Sequence, residues 1–272
     1  NVERGFYGQE IDLTTYNLCR INMFLHNIEF DKFNIVREDT LLSPMHWDDQ
    51  PFELIVSNPP FSVPWEGDKN PLLINDPRFS PAGVLAPASK GDMAFIMHSL
   101  AWLSTNGVAA IVCFPGIMYR GGAEQKIRKY LLEHNRIDTI IQLPPNLFFG
   151  VGIATCIIML RKGAKTDNNV LFVDGSTYFE KEGNKNYLRP LHLDKFVENV
   201  LKREEVQYFS KLVPNEIVIA NDCNLSVSSY VEQPDTREKI NIAKVNEELK
   251  SVVAVVNQYR QQVDDIVKLL EG

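Results

Sequence analysis

Phe52-Glu53-Leu54-Ile55-Val56-Ser57-Asn58-Pro59-Pro60-Phe61 is a short apolar run that stops at a polar, doubly prolyl turn. The run has the length and composition of a strand. Open α/β sheets hold their ligands at the carboxyl ends of strands, so Asn58 falls where a ligand would sit. Proline lacks an N–H and fixes φ, so Pro59 and Pro60 give a stiff loop whose carbonyls are free to face that ligand. Asn58 adds a side-chain oxygen, and Phe61 adds a face on which a flat base can stack. These groups suit the methylation of an exocyclic amine. The lone pair of such an amine is drawn into the ring, which makes it a poor nucleophile. An amide oxygen and a backbone carbonyl that accept its two N–H groups push the nitrogen toward a tetrahedral form. The plainer alternative is a β-turn after a strand, because Asn-Pro commonly opens turns.

Outward from this stretch, strand and helix patterns alternate. Residues 6–11 and 33–39 form two short strands, each ending near an acid, with a helix over 16–26 between them that Asp12 or Thr14 could cap. Residues 62–91 make a long loop with five prolines, of the kind that is usually functional or mobile. A helix over 92–103 precedes a continuous apolar strand over 107–114, as expected of a parallel sheet covered on both faces. A helix over 124–134 and strands over 137–143 and 153–160 follow, with a possible edge strand at 170–174. The alternation predicts an α/β domain that begins at what looks like its second strand. We divide the chain into a partial catalytic domain (1–175), an irregular, partly helical extension (176–240) containing one helix near 190–202, and a long C-terminal amphipathic helix (241–272). The apolar stripe of that helix needs a partner, either its own domain or another subunit.

The 272 residues suffice for one large domain with an appendage. No apolar run approaches the length of a membrane span. Cys19, Cys113, Cys156 and Cys223 lack paired spacing, so no disulfide frame or metal ligand set is expected, and a reducing cytoplasm fits. Cys113 and Cys156 fall in apolar runs and are expected to be buried thiols. The net charge of −7 carries no basic excess, which argues that any nucleic acid is gripped mainly by a partner. Lys126, Arg128 and Lys129 form a small cluster that reads as a solvated helix face.

Glu10 ends the first strand, where an α/β fold places the acid that takes both ribose hydroxyls of a nucleoside-like cofactor. Asp39 ends the next and could accept from an adenine amino group. With Asn58 they make a row of polar groups along one sheet edge, and an acidic cleft would also favour a cationic sulfonium. The glycine-rich turn expected about 20 residues before Glu10 has no counterpart. Gly121-Gly122 and Gly150-Val151-Gly152 lie on the wrong side of the row, so the cofactor cradle is expected upstream of Asn1 or not at all.

The chain resembles the N6-adenine DNA methyltransferases, specifically the modification (M) subunits of type I restriction–modification systems. The resemblance runs through Tyr7-Gly8-Gln9-Glu10, Asn22-Met23-Phe24-Leu25-His26, Asp39-Thr40-Leu41, Asn58-Pro59-Pro60-Phe61 and Gly91-Asp92-Met93-Ala94-Phe95-Ile96. It continues through Pro115-Gly116, Gly121-Gly122-Ala123-Glu124 running into Ile127-Arg128, Leu143-Pro144-Pro145-Asn146-Leu147-Phe148 and Asn221-Asp222-Cys223-Asn224-Leu225-Ser226 with Tyr230. It implies a Rossmann-like sheet truncated at its first strand and S-adenosyl-L-methionine as methyl donor. Glu10 matches the ribose-binding acid and Asp39 the residue at the cofactor adenine, with Asn58 beside the cofactor as well. Asn58 and Pro59 would accept from the target amine, Pro60 would stiffen the loop, and Phe61 would stack on a flipped base. A second aromatic would close the other face, Phe148 in preference to Phe149, although core packing is an equal alternative for Phe148. The resemblance also implies a specificity (S) subunit that reads DNA and docks on the C-terminal helix, and a restriction (nuclease) subunit.

Two other functions compete. The Asn-Pro-Pro-aromatic device also serves methylation of a protein glutamine or an RNA base. A non-catalytic assembly module that holds a partner through the C-terminal helix is the reading that the missing glycine motif favours.

Overall fold

The computed structural model of the protein describes residues 5–148, 150, 152–163, 165–234 and 241–271. In chain order they form β1 (Phe6–Gln9), α1 (Leu13–Leu25), β2 (Phe33–Val36), β3 (Phe52–Ser57), α2 (Asp92–Trp102), β4 (Leu103–Cys113) and α3 (Ala123–Glu133). β5 (Ile137–Gln142), β6 (Cys156–Arg161), β7 (Asn169–Asp174), β8 (Glu180–Glu182), β9 (Lys185–Tyr187), α4 (Pro190–Lys202), β10 (Ser210–Pro214), α5 (Asn215–Ala220) and α6 (Ile242–Glu271) follow. The chain divides into two compact units, Asn1–Gln233 and Pro234–Gly272. Among the described residues no helix is long and apolar enough to cross a membrane.

Six strands form one sheet in the order β10-β7-β5-β6-β4-β3. β3 with β4, and β5 with β7, are parallel, while β6 runs antiparallel between β4 and β5. The sheet is therefore mixed, where the apolar runs predict a parallel one. The burial pattern is the expected one all the same: β5 and β7 are buried on nearly every residue because α/β packing covers both faces. β7 is internal, not an edge strand, because β10 pairs antiparallel along its outer side. α2 is buried along most of its length, which follows from a sequence apolar all round. α3 turns Ile127, Leu131 and Leu132 inward, and Arg128 with them. The basic cluster is thus no simple solvated face. Burial lowers the pKa of Arg128, whose guanidinium donates to the carbonyls of Cys223 and Ile117.

β1 and β2 pair in parallel as a separate two-stranded sheet. The outer edge of β3 is unpaired among the described residues. Leu54 and Val56 on this edge are 66% and 73% exposed, and Leu18, Ile21 and Leu25 of α1 are exposed as well. α1 is capped by Asp12, whose carboxylate accepts from the Thr15 N–H, and Thr14 lies inside the first turn. Cys113 and Cys156 face each other across β4 and β6 as free, buried thiols. Burial pushes Cys156 up to about 12 and Cys113 well above its ordinary value, so both stay protonated and unreactive.

Among its described residues the second unit holds one helix, α6. Asn241 caps it, its side-chain oxygen accepting from the Ala243 and Lys244 N–H groups. Val245, Leu249, Val252, Val256, Tyr259, Val263 and Ile266 recur at spacings of three and four along it. One helix cannot cover such a stripe by itself.

Candidate active site

Asn58 leaves β3 at its carboxyl end and is exposed, while Pro59 and Phe61 are half-buried. The loop that follows is closed at its neck. The Ser62 N–H donates to both carboxylate oxygens of Asp92 at 3.0 and 3.1 Å. The Gly91 N–H donates to the Val63 carbonyl at 2.8 Å, and the Trp65 N–H to that of Ala88 at 2.9 Å. Between these ends the 62–91 stretch folds into three short 3₁₀ turns, Gly67–Lys69, Leu73–Asn75 and Ser80–Ala82. It is an ordered Ω-like excursion with its ends together.

Glu10 and Asp39 lie just past the carboxyl ends of β1 and β2. The Glu10 N–H donates to the Val36 carbonyl, and the Glu38 N–H to the Glu10 carbonyl, so the two strand exits are side by side. One Glu10 oxygen accepts from the Asp12 N–H at 2.8 Å. One Asp39 oxygen accepts from the Leu41 and Leu42 N–H groups at 2.8 and 3.0 Å, which fixes the turn. Among the described residues the second oxygen of each carboxylate makes no hydrogen bond. Two half-buried acids, each with one acceptor to spare, fit a ribose diol and an exocyclic amine. The row of polar groups is not on one sheet: Glu10 and Asp39 end one sheet, and Asn58 ends an edge strand of the other.

Arg78, 2% exposed, joins the two sides. It comes from the long loop after Asn58 and donates to the carbonyls of Thr40 and Leu41 at 3.1 and 2.7 Å, directly after Asp39. Its other bonds go to Asp76, at distances down to 2.7 Å, and to His98 Nδ1 at 3.2 Å. Gly91 reinforces the junction. A Cβ there would meet the Leu41 side chain and the Val63 carbonyl, both at 3.4 Å, so the Asp39 turn abuts the neck of the loop. Burial opposes ionisation of Asp76, but hydrogen bonds from Arg78 outweigh it and hold the carboxyl below its usual range.

His98 gives a pH dependence. Burial first, and the Arg78 charge second, lower its pKa from 6.5 to about 3, so the folded protein keeps the ring neutral. An unfolded histidine takes up a proton near pH 6.5, so below that pH the unfolded state holds the extra proton. Stability is then expected to fall as pH drops from 6.5 toward 3, by up to about 1.4 kcal/mol per unit. Thermal unfolding against pH measures this slope, and His98→Gln is expected to flatten it.

Phe148 is half-buried and packs against a core cluster that includes Ile141, Leu143 and Phe196. Phe149 lies outside the described residues. The loop before them is pinned: Asn186 donates from its side chain to the Pro145 carbonyl at 2.8 Å and from its backbone to the Asn146 carbonyl at 3.2 Å. A cavity of about 160 Å³ opens between Pro115, Tyr119, Gln142, Cys156 and Ser226. Arg78, Asp92 and Asn186 hold the loops around these residues, and the sequence alone does not single them out for that. Only Asp92 had a signal, its place at the start of a helix just beyond the loop.

The mixed sheet, with antiparallel β6 beside β5 and polar groups at the exits of β1, β2 and β3, has the fold of S-adenosylmethionine-dependent methyltransferases. A putative class I enzyme of that kind from Listeria monocytogenes shares it with a TM-score of 0.54 at 17% identity, over 72% of this chain and 54% of that one. The chain belongs to the N-6 DNA methylase family, whose model matches residues 1–239. It is 42% identical over 272 residues to the methylase subunit of the type I restriction enzyme MpnII from Mycoplasma pneumoniae, covering 97% of this chain and 50% of that one. The crystal structure of a type I restriction–modification methyltransferase subunit from Streptococcus thermophilus superposes with a TM-score of 0.80 at 39% identity, over 84% of this chain and 48% of that one. The chain spans about half the length of the curated relatives it matches.

Proposed function

We propose that the protein transfers a methyl group from S-adenosyl-L-methionine to adenine N6 in DNA, as the modification subunit of a type I restriction–modification system. The observation that carries this is Asn58-Pro59-Pro60-Phe61, held at the carboxyl end of β3 by a closed loop, with Asn58 exposed and Phe61 half-buried. In this reading the Asn58 side chain and the Pro59 carbonyl accept the two N–H groups of the target amine and raise its nucleophilicity. Pro60 keeps that carbonyl in place, and Phe61 stacks on the extruded base. Phe148 closes the opposite face. Glu10 takes the ribose hydroxyls of the cofactor, Asp39 its adenine, and Asn58 lies beside it. The cofactor supplies an electrophilic methyl on a sulfonium. The chain's own residues supply position and amine polarisation, with no covalent enzyme intermediate.

The catalytic part is assigned to residues 1–175, the extension to 176–240 and the partner-binding helix to 241–272. DNA is gripped mainly by a specificity subunit, in keeping with the net charge of −7, and a restriction subunit completes the system. The apolar stripe of α6 is assigned to the specificity subunit. Val256→Asp is expected to abolish co-purification with that subunit while leaving the methylase soluble, because a charge in an apolar helix seam is costly to bury. Labelled methyl transfer to adenine N6 in duplex DNA, with both subunits present, tests the activity. Label in protein or RNA instead would move the assignment to those substrates.

A further inference from the structure

The two prolines that stiffen the motif also strip it of backbone donors. Between Asn58 and Ser62 only Phe61 has an N–H, so the motif cannot be held from its own middle. Ser62 is the first residue after the motif, and it is in the left-handed region, with φ at 53°. That conformation is uncommon for a non-glycine residue. The group that holds the Ser62 N–H is the Asp92 carboxylate. It is buried, and both its oxygens face the Ser62 N–H, at 3.0 and 3.1 Å. Asp92 opens α2, whose amino-terminal end favours a negative charge. Next to it, the Gly91 N–H holds the Val63 carbonyl and the Trp65 indole N–H holds the Pro87 carbonyl. The Ser62 N–H is thus shared by both oxygens of a carboxylate that is anchored on a buried helix.

We propose that Asp92 is a positioning residue for the reaction: its carboxylate clamps Ser62 and thereby fixes Asn58 and the Pro59 carbonyl against the target amine. The role rests on the amine-methylating reading of the motif. Asp92 touches neither base nor cofactor in this assignment. It acts through Ser62, and a displacement of the acceptors by about 1 Å is enough to lower turnover by about 100-fold.

The test uses the full-length methylase assembled with its specificity subunit, S-adenosylmethionine and duplex DNA carrying the site. Asp92→Asn keeps shape and one acceptor but loses the charge; Asp92→Ala loses both. The expected result is a graded loss of kcat, about 10-fold for Asn and about 100-fold for Ala. KM for cofactor and DNA is expected to stay within about threefold, and Tm to be unchanged in Asp92→Asn. Amide exchange of the segment around Ser62 is expected to speed up in both variants. Wild-type kcat in both variants, or a kcat loss matched by an equal rise in cofactor KM and a fall in Tm, would overturn the positioning role. So would unchanged exchange at Ser62. Asn58→Ala runs in parallel: if wild type and Asn58→Ala both transfer no methyl, the methylase reading fails and the catalytic role of Asp92 fails with it, while exchange still reports whether the clamp exists.

Discussion

Replacing Asn58 by alanine is expected to lower methyl transfer by at least about 100- to 1,000-fold, with DNA binding nearly intact. Its amide oxygen is the one side-chain acceptor of the motif, placed on a stiff loop at a strand exit. Its partner N–H groups become more acidic as the amine nitrogen gains positive charge, so the hydrogen bond strengthens on the way to the transition state. Removing one preorganised group of this kind costs about 3–4 kcal/mol in comparable sites. Asn58→Asp is a sharper version. It keeps an acceptor of the same size, so residual activity is expected to exceed that of alanine. Steady-state kcat and KM on a duplex with a single target adenine measure both. A drop confined to KM would mean that Asn58 only binds.

The second large effect concerns stability. Arg78→Ala is expected to destabilise the protein by about 3–5 kcal/mol, the usual cost of breaking a buried ion pair by removing one partner. The Asp76 carboxylate, the Thr40 and Leu41 carbonyls and His98 would all lose a donor, with Leu41 and His98 buried and Asp76 half-buried. At this chain length the loss corresponds to a fall in Tm of roughly 6–20 °C. Arg78→Lys is expected to recover little, because an ammonium cannot reproduce the forked contacts to a carboxylate and two carbonyls. The Asp39 turn depends on the same guanidinium, so cofactor KM is expected to rise in any variant stable enough to assay. Thermal unfolding checks the first part, and a Tm within about 2 °C of wild type would contradict it.

The two variants mark what was legible in the sequence and what was not. Asn58-Pro59-Pro60-Phe61 announces itself because two prolines after an apolar run leave few structural options, and the strand before it is where that run predicts. The helices α3, α4 and α6 follow from periodicity to within a few residues. β10 escaped notice because Ser210-Lys211-Leu212-Val213-Pro214 is short, partly polar and ends in proline, so nothing local marks it as a strand. Its pairing is what makes β7 internal. The direction of β6 escaped for a similar reason: apolar alternation is the same for either direction, and only topology decides. Arg78 is one cation in a proline-rich loop, and its partners at positions 40, 41, 76 and 98 are assembled by tertiary folding alone. Arg128 looked solvated because its neighbours Lys126 and Lys129 are polar, whereas the helical period turns it to the core side with Ile127. Glu10 and Asp39 lie just past the two strand ends that the sequence marks, but their separation from Asn58 onto another sheet depends on which strands pair.

The most direct test is base-modification sequencing of DNA from a methylation-free host. The host expresses the full gene that encodes this chain together with its specificity partner, with an Asn58→Ala version alongside. N6-methyladenine at one defined bipartite motif, present with the wild type and lost with Asn58→Ala, is the predicted result. Unmodified DNA in a host that accumulates both proteins in soluble form, or the same methylation from the Asn58→Ala strain, would contradict it.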